Sequence, residues 1–276
     1  MPNILVTDDD ATTRQMVRGV LKKRGYDVNT ASDGIAALRL IRRKKFDLIL
    51  LDIWMPKMTG LGLLGSLSGE SDIPKIIVMT SDQTSDTLMN AMRGRVYQFL
   101  PKPFDADTLI ATIENALSAS PSLPAIEVLS ANKHWVELLV PCERSIVNRV
   151  QSFLTRLDTD LPEEVLEKVG YAFRELLNNA IEWGGHLDPN LKVRISYIRT
   201  KKMLMYRLDD PGPGFQFENL THAAINNPED DPMAHMQARE AKGLRPGGLG
   251  LMLTRQLVDE LVYNDARNQV ILIKYL

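Results

Sequence analysis

The 276-residue sequence sets 33 lysines and arginines against 35 acidic residues, for a formal charge of −2. That balance provides no overall electrostatic footprint for nucleic acid or an anionic membrane. Domains typically run roughly 100 to 200 residues, so the length predicts two, each with its own core. The single cysteine, Cys142, cannot close an intramolecular disulfide and fits a reducing compartment, where it is expected to be inert.

The chain runs from Met-Pro-Asn straight into Ile4, Leu5 and Val6, without the basic, apolar and cleavage-site succession of a signal peptide. No window approaches the roughly 20 apolar residues that a bilayer span requires. A cytoplasmic protein with no membrane partner is therefore expected.

In chain order, short aliphatic runs alternate with segments of helical period through the first 120 residues. Strands are predicted at Ile4–Thr7, Asp27–Ala31, Leu48–Leu51, Lys75–Met79 and Gln98–Leu100. Helices are predicted between them at Ala11–Arg24, Gly34–Arg43, Gly60–Leu67, Ser85–Met92 and Asp105–Leu117. Strict alternation of this kind predicts an α/β fold, a doubly wound parallel sheet of five strands. The small residues and prolines of Ser118–Pro124 then read as a linker. The expected domains are residues 1–120 and 126–276, joined by 121–125, and two prolines in so short a linker predict that the domains stay near one another.

Beyond the linker the spacing predicts a strand at Trp135–Val140, an amphipathic helix at Glu143–Leu157 and a proline-started helix at Pro162–Glu182. Two strands follow at Val193–Arg199 and Met203–Leu208, then a loop rich in Gly, Pro, Asn and Asp, a helix at Gly250–Leu261 and a strand at Gln269–Lys274. Helices and strands are grouped here, which predicts an α+β domain.

Two features of the first half carry chemistry. Asp8 and Asp9 follow the first predicted strand and Asp52 follows the third, and ligands of open α/β sheets bind at that carboxyl edge. An Asp-Asp pair alone also serves as a helix cap. Joined to Asp52, it forms a cluster of like charges that calls for a hard cation, and magnesium binds through one or two carboxylates with waters and phosphate. Thr80 and Lys102, each just past another strand, supply a hydroxyl and an ammonium for phosphoryl oxygens. The Lys102–Pro103 bond is a candidate for the cis form. Asp52 is then the expected nucleophile, with magnesium and Lys102 stabilising the transferring phosphoryl group.

Ile4 to Asp9, Asp52 to Pro56 with Gly60, Met79 to Ser81 and Leu100 to Phe104 resemble a bacterial response-regulator receiver domain over about residues 1 to 120. The resemblance implies a two-component system in which Asp52 accepts phosphate from an upstream histidine kinase. It also implies that Asp8, Asp9 and Asp52 hold magnesium, that Thr80 moves toward the phosphate, and that Phe99 changes rotamer.

In the second half, Glu175 and Asn179 lie four residues apart and share a helical face. Asp210-Pro-Gly212-Pro-Gly214 follows a strand, and Gly248-Leu-Gly250 opens a helix. Glycines there let backbone approach a ligand, helix-start N–H groups suit phosphate oxygens, and Asp210 can accept from an exocyclic amine. Neither spacing fits a dinucleotide fingerprint or a P-loop.

Together these stretches resemble the three nucleotide boxes of the ATPase superfamily shared by gyrase, the Hsp90 chaperone, histidine kinases and anti-sigma-factor serine kinases, the last most closely. The resemblance implies an ATP site with Asn179 on magnesium and Asp210 on adenine. Gly212, Gly214, Gly248 and Gly250 would shape the pocket, and Glu175 would act as general base toward a substrate serine. Trp183 stands where the family often has histidine, and Gln216–Pro246 is long for a lid.

His134, on a predicted strand, and His186, His222 and His235, in predicted loops, show no ligand spacing and are expected to be non-catalytic. No pair of long helices precedes the ATP domain, which argues against a hybrid histidine kinase. The leading expectation is an ATP-dependent serine/threonine protein kinase under receiver control, acting on an anti-anti-sigma-like protein. The alternative is a non-catalytic switch that sequesters a sigma factor or another partner. No basic recognition helix is evident, so direct nucleic-acid binding is not expected. The sequence leaves oligomeric state open, with a homodimer as one option.

Overall fold

The computed structural model describes residues 1–276 except 69, 71–72, 82–83, 95, 119–125, 133, 159, 217–222, 225–226, 228–230, 232 and 242–247. It divides into two compact units, Met1–Leu123 and Pro124–Leu276. The expected linker, residues 121–125, and His222 lie outside the described residues.

The first unit alternates β1 (Asn3–Thr7), α1 (Ala11–Lys23), β2 (Asp27–Ala31), α2 (Gly34–Ile41), β3 (Leu48–Asp52), α3 (Gly60–Leu67), β4 (Lys75–Thr80), α4 (Ser85–Arg93), β5 (Gln98–Pro101) and α5 (Ala106–Ser118). All strand pairs are parallel, in the order β2-β1-β3-β4-β5. Every residue of β3 is buried, as expected for a central strand covered on both faces. Ile4, Val6, Leu48, Leu50, Ile77 and Met79 form a core with Val17 and Leu21 of α1 and Leu109, Ile110 and Ile113 of α5. Strand order reverses between β1 and β3, which opens a crevice where their carboxyl ends diverge.

The strands run slightly further than their apolar runs suggest. Asp52 and Thr80 are the last residues of β3 and β4 rather than the first residues beyond them, because ladder pairing continues through Asp52 to Met79 and through Thr80 to Pro101.

The second unit contains β6 (Glu127–Asn132), β7 (Trp135–Pro141), α6 (Arg144–Arg156), α7 (Glu163–Asn179), β8 (Lys192–Arg199), β9 (Met203–Asp209), α8 (Ala234–Ala241), α9 (Gly250–Leu257), β10 (Glu260–Tyr263) and β11 (Gln269–Tyr275). Its antiparallel sheet has the order β10-β11-β9-β8-β7-β6. Alternating side chains bury one face: Val136, Leu138 and Val140, then Val193, Ile195 and Tyr197, then Leu204, Tyr206 and Leu208. The apolar stripes of α6 and α7, including Val150, Phe153, Phe173 and Leu177, are buried as well. Phe173 of α7 meets Tyr206 of β9 with ring centroids 4.9 Å apart.

Four local expectations are corrected here. The helix predicted at Pro162–Glu182 is α-helical only to Asn179 and continues as a π-helical stretch, Ala180–Gly184. The helix predicted at Gly250–Leu261 stops at Leu257, because Val258 is extended (φ −115°, ψ 162°) and Leu261 pairs with Leu272 in the sheet. His134 sits in the turn between β6 and β7, where its N–H donates to Asn132 Oδ1, instead of on a strand. His235 lies in α8 rather than a loop, buried and bonded to Asn227 through both its ring Nδ1 and its main-chain N–H.

Candidate functional site

At the first crevice, β1 and β3 deliver Asp8, Asp9 and Asp52 so that one carboxylate oxygen from each lies within 4.8 Å of the others. Asp8 and Asp52 are buried, and Asp9 is exposed. Lys102, just beyond β5, crosses to them: its Nζ donates to Asp8 Oδ2 at 2.7 Å and to Asp52 Oδ2 at 2.8 Å. The Lys102–Pro103 peptide is cis. Thr80 ends the intervening strand, and its carbonyl accepts the Lys102 main-chain N–H at 3.0 Å. Phe99 is buried on β5.

One ammonium thus serves two buried carboxylates. Burial pushes the Asp52 carboxyl above its usual range, against the pull of Lys102, and the nearby Asp8 adds to the rise. Burial disfavours the Lys102 ammonium, but its bonds to Asp52 and Asp8 outweigh that and raise its pKa. The unbalanced negative charge and an all-oxygen donor set suit a hard divalent cation.

Two residues missed in the sequence complete the loop. Asp10, not Asp8 or Asp9, caps α1 by accepting from the Thr12 and Thr13 N–H groups. Arg14 Nη1 donates to the carbonyls of Asp8 and Asp9 at 2.7 and 2.9 Å, fixing the acidic turn from the helix behind it. A basic residue one turn into the helix after an acid pair is the signal that could have found it.

In the second unit, α7, the end of β9 and the start of α9 surround a cavity of about 520 Å³, within the roughly 300–1,000 Å³ range of small-molecule sites. Glu175, Asn179, Asp210, Gly214, Gly248 and Gly250 all line it. Gly212 does not, but its N–H donates to Asp210 Oδ1 at 2.8 Å. Burial raises the Asp210 carboxyl above its usual range, partly opposed by that bond, and Asp209 adds to the rise.

Close approach explains two of the glycines. A β-carbon at Gly184 would lie 2.3 Å from Asp210 Oδ1, and one at Gly250 would lie 2.2 Å from Glu175 Oε2. Side chains at either place would displace an acid from the cavity. The walls also contain Trp183, Phe215, Tyr263, Arg267 and Asn268, none of which sequence spacing had marked as site residues. Glu182, also on the wall, pairs with Arg144 at 3.1 Å. Cys142 is buried nearby, its thiol pushed up to about 11 by burial and by Asp210 and Asp188.

Comparison with known proteins gives a family match in each unit. Residues 4–114 match the response regulator receiver domain, and residues 141–274 match the histidine kinase-like ATPase domain. The chain is 32% identical over 202 residues to the DNA-binding response regulator MtrA of Mycolicibacterium paratuberculosis, covering 72% of this chain and 88% of that protein. It is 27% identical over 238 residues to the "Probable transcriptional regulator ycf27" of Porphyridium aerugineum, covering 80% of this chain and 98% of that one. The chemotaxis protein CheY4 of Vibrio cholerae aligns in structure with 32% identity and a TM-score of 0.41, over 42% of this chain and 99% of that one.

The chain belongs to the response regulator family, with a receiver domain followed by a histidine-kinase-like ATPase domain. A receiver implies a phosphodonor histidine kinase as partner, and the two domains imply magnesium and ATP as ligands in general. The DNA-binding label of MtrA runs against the expectation that nucleic acid is not a partner. No described helix is long and apolar enough to cross a membrane.

Proposed function

We propose that phosphorylation of Asp52 controls an ATP-dependent serine/threonine protein kinase in the second unit, whose substrate is an anti-anti-sigma-like protein. The observation that carries the output reading is one cavity with Glu175 and Asn179 on one wall and Asp210 on another. In the receiver step, an Asp52 carboxylate oxygen attacks the phosphorus of a phosphohistidine. The P–O bond forms as the P–N bond breaks, and the imidazole leaves. Lys102, already 2.8 Å from Asp52, places its ammonium beside the phosphoryl oxygens.

Asp8, Asp9 and Asp52 would hold magnesium, which when bound would neutralise charge on the transferring group. In the second unit Asp210 accepts from the base's exocyclic amine, and Asn179 is the ligand for a nucleotide-bound cation. Glu175 takes the proton of the attacking serine hydroxyl as its oxygen bonds to the γ-phosphorus of ATP, the bond to the bridging oxygen breaks and ADP leaves. Gly212 and Gly214 shape the loop that carries Asp210, and Gly248 and Gly250 bring the backbone at the start of α9 to the cavity, where helix-start N–H groups suit phosphate.

The test is incubation of the purified chain with γ-labelled ATP and anti-anti-sigma-like proteins encoded near its gene. Label transferred to a serine or threonine, lost in Glu175→Gln, is the expected result. ATP-dependent retention of such a protein or a sigma factor without transfer would replace the kinase reading with a sequestering switch. Binding of a labelled DNA duplex in place of both would make the output a DNA-binding one.

A further inference from the structure

The acid proposed to read the base is tied to the turn between β10 and β11. Its main-chain N–H donates to the Asn268 carbonyl at 2.9 Å, and the Asn268 side-chain Nδ2 donates to the Gly212 carbonyl at 3.0 Å. One residue therefore bonds to both ends of Asp210-Pro211-Gly212, while the Gly212 N–H closes back on Asp210 Oδ1. The orientation of the Asn268 amide is dictated by its neighbours. The Gly212 carbonyl can only accept, so Nδ2 faces it and Oδ1 accepts from Asn264 Nδ2 at 2.9 Å. The Asn264 Oδ1 in turn accepts the Gln269 N–H at 3.1 Å. Further along the loop, Gly214 (φ +85°) lies so close to the turn that a β-carbon would stand 1.7 Å from the Ala266 carbonyl oxygen, which accepts the Phe215 N–H.

We infer that Asn268 is a positioning residue for nucleotide discrimination: by holding the Asp210 N–H and the Gly212 carbonyl together, it aims the Asp210 carboxylate into the cavity. The inference rests on the reading of Asp210 as acceptor for the base's amine. Without the side-chain amide, the turn keeps the main-chain bond from the Asp210 N–H to residue 268 and its own Gly212 N–H bond but loses the tie at Gly212, and the carboxylate loses its fixed direction toward a ligand amine. The energetic consequence is specific. A misaimed Asp210 weakens a nucleotide that carries the amine and leaves one without it largely unaffected.

The experiment measures, by calorimetry on the full chain with magnesium, the affinities for ATP and for purine riboside triphosphate, which lacks the 6-amino group. Wild type should prefer ATP. Asn268→Ala should lower ATP affinity about three- to tenfold, the equivalent of one hydrogen bond, with little change for the analogue. Asn268→Asp, which keeps the shape but cannot donate to the Gly212 carbonyl, should act in the same direction and carries the test if the alanine variant does not fold. Either change should add little to Asp210→Asn, since both act on one contact. Equal losses for both nucleotides, full additivity with Asp210→Asn, or unchanged preference would overturn the positioning role. A wild-type protein with no preference, matched by Asp210→Asn, would instead overturn the reading of Asp210, and the inference would fall with it.

Discussion

Lys102 shares one ammonium between Asp8, just past β1, and Asp52, the last residue of β3, and of the three acids only Asp52 lies within a strand. On the proposed role, a small phosphodonor with magnesium should add one phosphoryl group to the wild-type chain and none to Asp52→Asn, as read by intact mass. Modification of that variant to the wild-type level would move the acceptor elsewhere.

Asp33 supplies a test by pH. It caps α2 by accepting the Ala36 N–H at 2.9 Å and accepts from Lys57 Nζ at 2.8 Å. The Lys57 bond first, then the Ala36 N–H, hold its carboxyl below the usual range. A depressed folded pKa contributes stability that is present above the unfolded value and is lost as pH falls through the folded one. Asp33→Ala should therefore cost about 0.5–2 kcal/mol near pH 7 in urea unfolding, the usual range for a lost cap. The gap from wild type should shrink below about pH 4, where the unfolded carboxyl protonates. Asp210 has the opposite sign, with a carboxyl raised chiefly by burial. On its proposed role, ATP affinity should begin to fall at a higher pH on acidification than an exposed aspartate would give. Asp210→Asn should flatten that dependence in calorimetry.

Among the elements, the loop after β9 and the β10–β11 turn form one docked pair, with Gly214 at the contact. Gly214→Ala forces a side chain into positive φ and into the Ala266 carbonyl. A cost of about 1–3 kcal/mol is expected from such crowding, together with loss of nucleotide binding. Unchanged thermal unfolding and ATP affinity would contradict the docking.

The same elements show how much of the protein could be read from sequence. In the first unit short strands of four to six residues alternate with helices, so period and position together located all five strands and placed Asp8, Asp52 and Lys102 near one edge. The second unit is harder. β6 carries Ser130 and Asn132 directly after a small-residue linker and becomes a strand by pairing along β7. β10 continues the helical period of Leu253 and Leu257, and only its ladder with β11 reveals it. Asn268 could not be found from motif spacing, since its role depends on a turn meeting a loop more than fifty residues away in the chain.

At the scale of the whole molecule, the chain joins a receiver domain to a histidine-kinase-like ATPase domain, and the proposal requires that one alter the other. A tether gives no coupling by itself, because a ligand shifts an equilibrium only through different interaction with its two states. The coupling expected between sites is about 1–3 kcal/mol, or several-fold to about a hundredfold in affinity. The most direct measurement is the affinity of the full chain for magnesium-ATP with and without beryllofluoride, which mimics the phosphoryl group on Asp52. Phosphoryl control of the output is expected to shift that affinity several-fold in the wild type and not in Asp52→Asn. Equal affinities in the wild type, with beryllofluoride shown to be bound, would contradict control of the ATP site by the receiver.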